Sequence, residues 1–161
     1  MKLLAKSLAT ALVLGSLSSL ASAVALNISS GSAGFVNTPP AGAFSDIYTF
    51  TLPVATTLTG IVTSVVSGGQ DIDFTTLTLT GPSGPLSFAQ TNADPFEIWT
   101  ISTAVLSAGA YTLTLIGTNS AAIGTYSGNL AVAAIPEAGT YGMMLAGLGL
   151  VGFLVRRRRL G

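Results

Sequence analysis

Phe44-Ser45-Asp46-Ile47-Tyr48-Thr49-Phe50-Thr51-Leu52 is the stretch that decides the fold class. Phe44, Tyr48, Phe50 and Leu52 share one parity, while Ser45, Thr49 and Thr51 fall on the other. That is the period of a strand with one face in a core and one face in water. The pattern recurs outward along the chain. Leu58 to Val66 is rich in β-branched residues, Phe74 to Thr80 alternates Leu77 and Leu79 with threonines, and Phe96 to Ile101 carries Trp99. Tyr111, Leu113 and Leu115 alternate with Thr112 and Thr114, and Ile123 to Val132 reads as a last strand.

Turn chemistry separates these runs: Gly68-Gly69, Gly81-Pro82-Ser83-Gly84-Pro85, Asp94-Pro95, Ala108-Gly109 and Gly117-Thr118-Asn119. No segment between them shows a helical stripe of useful length. The expectation is all-β, a single antiparallel β-sandwich or jelly roll over residues 24–135. Within it, Val24 to Ala43 reads as a strand followed by an irregular lead-in.

The charge inventory is lopsided. Lys2, Lys6 and Arg156 to Arg159 are the only basic side chains, and all lie near the two ends of the chain. Between Val24 and Ile135 the charged residues are Asp46, Asp71, Asp73, Asp94 and Glu97, so the precursor's formal neutrality hides an anionic domain. With no cation to meet phosphates, nucleic-acid binding is excluded. The chain has no histidine and no cysteine. Histidine-based triads, cysteine nucleophiles, Cys/His zinc sites and disulfides are therefore unavailable.

Both termini read as export signals. Lys2 and Lys6 form a positive n-region and Leu8 to Leu20 an apolar h-region. Ala21-Ser22-Ala23 is a small-residue cleavage site, which predicts a signal peptide over residues 1–23 that hands the chain to the Sec machinery. At the other end Pro136-Glu137-Ala138 precedes the glycine-laced apolar run Thr140 to Val155, then Arg156, Arg157, Arg158 and Arg159. The run predicts a transmembrane helix over about 140–155, roughly 24 Å long and slightly short for a bilayer, with the arginines holding their end in the cytoplasm. Gly147, Gly149 and Gly152 would admit a partner helix closely.

Residues 136–161 resemble the PEP-CTERM sorting signal of Gram-negative bacteria: a Pro-Glu-Pro tripeptide, a short hydrophobic helix and an Arg-rich end. Ala138 stands where the usual tripeptide has its second proline. The resemblance implies recognition by an exosortase, with Pro136 and Glu137 marking the processing site, and transient anchoring in the inner membrane. Phe44, Asp46 and Tyr48 resemble the opening signature of the FxDxF type of these proteins, with Tyr48 in place of the second Phe. Ala108-Gly109-Ala110-Tyr111-Thr112-Leu113 and Gly124-Thr125-Tyr126-Ser127-Gly128 are similar to its closing segments. The order of strand signatures is also similar to that of bacterial pre-peptidase C-terminal domains, which implies a β-sandwich.

Several groups are candidates for chemistry. Asp71 and Asp73, at i and i+2, project from one side of a strand and have the oxygen ligands that Ca²⁺ takes, though without an EF-hand's later acidic ligand. No other cofactor is expected. Asp94 and Glu97 offer a second pair of carboxylates for a glycosidase-like cleft. By their local context, however, Asp94 is a turn residue before Pro95 and Glu97 an outward-facing strand residue. Asp46, on the core parity with no cation to meet it, must accept hydrogen bonds from backbone or hydroxyl donors. Trp99, Tyr48, Tyr111 and Tyr126 form either a sugar-stacking platform or, for the tyrosines, part of the core. Asn27-Ile28-Ser29 is a glycosylation sequon. Together these features predict a non-enzymatic protein exported to the cell surface or the extracellular polysaccharide matrix. The alternatives are a module that binds carbohydrate or Ca²⁺ and a self-assembling surface-layer or fibre subunit.

Overall fold

A computed structural model describes residues 23–135 and 138–159. The chain forms β1 (Ala23–Ala25), β2 (Ser32–Asn37), β3 (Gly42–Leu52), β4 (Thr56–Val65), β5 (Ile72–Thr80), β6 (Leu86–Ser87), β7 (Ala89–Asn92), β8 (Phe96–Leu106), β9 (Gly109–Asn119), β10 (Tyr126–Ala134) and α1 (Ala138–Arg159). The strands make two five-stranded sheets, ordered β1-β3-β9-β5-β6 and β2-β10-β4-β8-β7. Every pairing is antiparallel except that of β1 with β3.

The alternation in the sequence becomes the inter-sheet core. Phe44, Tyr48, Phe50 and Leu52 of β3 are buried, as are Leu77 and Leu79 of β5 and Tyr111, Leu113 and Leu115 of β9. Leu58 and Val62 of β4 and Leu130 of β10 meet them from the opposite sheet. Successive side chains of a strand point to opposite faces, so in β3, β4 and β9 one parity fills the interior while the other, rich in threonine, faces outward.

Four features differ from the sequence expectation. β2 lies where an irregular lead-in was expected. Only Ala33 and Phe35 face inward from it, too few to signal a strand, and it forms by pairing with β10 along Ser32–Asn37. The Phe35 ring lies directly over Gly128, where any side chain would collide with it. β6 and β7 are edge strands whose side chains stay at or near the surface, so they carry no hydrophobic period. β8 runs to Leu106 instead of stopping at Ile101. The register of β4 against β8 shifts between Leu58 and Gly60, so that Ile101 and Leu106, of opposite parity, both point inward. Finally, α1 continues through the arginines instead of ending before them.

The two ends of the sandwich are distinct. At one end lie the β3–β4 loop, the Gly81–Gly84 turn, the β8–β9 turn and the end of β10, tied together by Ile135 N–H donating to Ala55 O and Ser107 N–H to Ser83 Oγ. We call it the proximal end, because α1 starts three residues beyond Ile135. At the distal end, Gly42 and Ile72 both pair with Asn119, and Val65 pairs with Phe96.

Asp46 is held between the sheet edges by neutral donors. Its Oδ2 accepts from the Tyr126 hydroxyl at 2.6 Å and from Asn37 Nδ2 at 2.9 Å. Tyr126 spends its proton on Asp46, so the Tyr48 hydroxyl, 2.9 Å away, donates to Tyr126. Burial, then donation to Asp46, keeps the Tyr126 hydroxyl protonated far above the ordinary tyrosine range. Tyr126→Phe removes one of the two donors to a carboxylate and the acceptor of the Tyr48 hydroxyl. It should lower the unfolding free energy of the domain by about 2 kcal/mol in urea titrations, with little change in circular dichroism.

Candidate functional site

The chain has two candidate functional regions, an acidic cluster at the distal end and the C-terminal segment. Asp71 immediately precedes β5 and Asp73 lies within it, which puts both on one side of the strand. Asp94 lies in the turn between β7 and β8, which belong to the other sheet. Backbone bonds fix these pieces. Val66 N–H donates to Pro95 O at 2.9 Å, Ser120 N–H donates to Asp71 O at 2.8 Å, and Asp71 N–H donates to Ser120 Oγ at 2.8 Å. As a result Asp71, Asp73 and Asp94 each offer a carboxylate oxygen within 4.8 Å of the others.

Asp71 Oδ1 is sealed from solvent and has no hydrogen-bond partner among the described residues. Burial, followed by the negative charges of Asp73 and Asp94, pushes its carboxyl above the usual aspartate range, against a lowering contribution from the Ile72 N–H. Three anionic oxygens in an all-oxygen set suit a hard divalent cation such as Ca²⁺, which would complete its shell with carbonyls and water. Asp71 and Asp73 were legible as a pair in the sequence. Asp94 was not, because only the meeting of the two sheets brings it to them.

Glu97 corrects the sequence reading. It is not outward-facing but 3% exposed, on the inward parity of β8 with Ile101. Its Oε2 accepts from Ser64 Oγ and Phe74 N–H, both at 3.2 Å, and its Oε1 from Gln90 Nε2 at 2.9 Å and Trp99 Nε1 at 2.8 Å. Glu97 is thus a structural acceptor joining β4, β5, β7 and β8, and the cleft pairing of Asp94 with Glu97 is not formed. A charged residue in a strand such as Phe96-Glu97-Ile98 is ordinarily assigned to the solvent face. A signal that would have found it is its parity with Trp99 and Ile101.

The aromatic platform is not assembled either. Tyr48, Tyr111 and Tyr126 are core residues. Tyr126 packs among Phe35, Phe44 and Phe74, and Tyr111 stacks on Phe50 with ring centroids 5.6 Å apart. Trp99 is partly buried against the same core, with its Nε1 committed to Glu97. Asn27 of the sequon is exposed in the β1–β2 loop.

The second region is α1. Gly139–Arg158 is long and apolar enough to cross a membrane, and its side chains pack against no other part of the described chain. Arg156, Arg157 and Arg158 are exposed at its end, and Arg159 is its last residue. Ala23 begins β1, whereas Ala21, Pro136 and Glu137 lie outside the described residues.

Comparison with known protein families matches the C-terminal region. Residues 134–159 carry a PEP-CTERM protein-sorting motif, which marks the chain as an exported protein sorted by an exosortase and held by an apolar helix before processing. The chain is similar to the pre-peptidase C-terminal domain of a collagenase from Bacillus anthracis, with 20% identity over 70% of this chain and 94% of that one and a TM-score of 0.44. It is also similar to a periplasmic inhibitor of g-type lysozyme from Aeromonas hydrophila, with 16% identity over 69% and 96% of the two chains and a TM-score of 0.37. No curated protein matches the chain.

Glu97 and Asp71 both have raised carboxyl pKa values, which fixes the sign of their contribution to the pH dependence of the sandwich. Burial, more than any other cause, raises the Glu97 carboxyl above the usual range, even with its four donors. A carboxyl with a raised folded pKa binds more protons folded than unfolded between its two pKa values. Stability therefore falls as pH rises from about 4 through the raised values, and returns on acidification. In chelator, the melting temperature should be higher near pH 5 than at pH 7. Glu97→Gln should reduce that difference and cost about 2–4 kcal/mol, since one amide oxygen cannot accept from four converging donors.

Proposed function

We propose that this protein is a non-enzymatic structural component of the cell surface or extracellular polysaccharide matrix of a Gram-negative bacterium. The observation that carries this reading is the sorting motif at residues 134–159, set directly behind a β-sandwich. In this reading the Sec machinery takes up residues 1–23 and cleavage follows Ala23. α1 then holds the chain in the inner membrane with Arg156 to Arg159 on the cytoplasmic side. An exosortase recognises the tail, with the Pro136-Glu137 segment as its processing site, and releases the domain outward.

Two observations support a non-enzymatic role. The chain has no histidine or cysteine. Of the five carboxylates of the domain, Asp46 and Glu97 are already committed to structural donors. Association with polysaccharide belongs to the same proposal and rests on the destination that the tail encodes. Intact-mass measurement of the surface form tests the route: the protein should begin at Val24 and end near Pro136-Glu137. A surface protein that retains Arg156 to Arg159 would refute processing and leave a tail-anchored protein.

A second reading is favoured by one observation, the convergence of Asp71, Asp73 and Asp94 around the unpartnered Asp71 Oδ1. In it the distal end takes a Ca²⁺ ion that offsets the repulsion among the three carboxylates. Calcium should then raise the melting temperature at pH 7, and the combined Asp71→Asn, Asp73→Asn change should abolish the calcium-dependent rise. An equal rise in wild type and variant would reject this site.

A further inference from the structure

The charges of the sandwich are sorted along its long axis. Asp71, Asp73 and Asp94 lie at the distal end. Glu97 pairs with Ser64 and Asp46 with Leu115, both in the distal half of their strands. Among the described residues, the proximal end, built from the β3–β4 loop, the Gly81–Gly84 turn, the β8–β9 turn and Ile135, has no charged side chain; Glu137, in the connection to α1, lies outside them. It does expose Val54 (45%), Val105 (66%) and Ile135 (37%), beside Pro53 and Pro82. An apolar-walled groove of about 900 Å³ opens at this end, between Leu26, Phe50, Val54, Tyr111 and Val132.

Exposed apolar side chains do not by themselves single out this end, since Val65, Phe96 and Ile123 are exposed at the other. Charge and connectivity do. From Ile135 to Ala138, where α1 starts, is three Cα steps, about 11 Å when fully extended. The membrane-crossing stretch begins at Gly139. A sandwich on so short a tether is held at the bilayer surface by the end that carries the tether. An uncharged, apolar surface there sinks into the headgroup region at little cost, while carboxylates facing anionic lipid would be repelled.

We infer that the proximal end of the sandwich, centred on Val54, Val105 and Ile135, is a lipid-contacting surface that rests on the outer leaflet of the inner membrane while the chain is anchored, with the acidic end directed away. The inference rests on the anchoring role of α1 given under the proposed function. Contact of this kind leaves the Asp71, Asp73 and Asp94 cluster free in solution before release.

The chain contains no cysteine, so single labels can be placed at will. Anchored protein from a host without the sorting enzyme is labelled with an environment-sensitive fluorophore at Val54→Cys, Val105→Cys, distal Ser67→Cys or helix Leu148→Cys. Each is reconstituted in phosphatidylethanolamine–phosphatidylglycerol vesicles containing a spin-labelled lipid whose quencher sits near the headgroups. The expected result is blue-shifted emission at positions 54 and 105, quenched about twofold or more over position 67. Adding Val54→Glu to the Val105→Cys chain should bring quenching back toward the value at position 67. If positions 54 and 105 behave like 67 while 148 is shielded, the anchor stands and the lipid contact is overturned. If 148 is also solvent-exposed, the anchoring reading itself fails and takes the contact with it. A blue shift that grows with the protein-to-lipid ratio, without lipid quenching, would assign the face to a second copy of the chain and also overturn the proposal.

Discussion

Between Val24 and Ile135 the domain has five carboxylates and no basic side chain, so any anion that the fold withdraws from water must be held by neutral donors. This constraint shapes the interior. Asp46 is held by Tyr126 and Asn37, which ties the edge of one sheet to β2 and β10 of the other. Glu97 gathers donors from β4, β5, β7 and β8, again across both sheets. The two acceptors therefore act as polar cross-links in a core that, apart from Thr56, Ser64 and Asn119, is aliphatic and aromatic. Neither is met by a basic side chain, since the domain has none.

The same constraint explains why the remaining acids gather where they do. Asp71, Asp73 and Asp94 repel one another with no counter-ion from the protein, and they lie at an end of the sandwich where two of the three side chains are exposed and the third is partly buried. Asp71 is the exception, with one oxygen sealed and unpartnered. A cation from outside would supply what the sequence lacks. The proximal end shows the complement among the described residues: uncharged, apolar at its tip, and joined by a short connection to the one described helix long and apolar enough to cross a membrane.

The sorting class of the chain was legible because it is written in contiguous residues. An apolar run bounded by Pro136-Glu137 and four arginines carries its meaning without any fold, and so does an alternating strand such as Phe44 to Leu52. The principal strands were legible for the same reason: period-2 burial is a local consequence of backbone geometry. β2, β6 and β7 were not, since edge strands owe their existence to a neighbour's hydrogen bonds more than to their own side chains. The extension of β8 was hidden because a register shift lets Ile101 and Leu106, of opposite parity, point the same way.

By itself, then, the sequence determined the sandwich class, the exclusion of cysteine and histidine chemistry, the sorting tail, and the requirement that Asp46 find neutral donors. Tertiary structure alone decided that Glu97 faces the core, that Asp94 joins Asp71 and Asp73, that three tyrosines pack inside instead of forming a binding platform, and that, among the described residues, charge is absent from the end nearest the tether. The physical reason is distance along the chain. Properties set by neighbours a few residues away, such as periodicity, turns and signals, are encoded where they act. Convergence of Glu97 with Ser64, or of Asp71 with Asp94, depends on how two sheets are stacked, and stacking is fixed by the sum of many side chains and by no local motif.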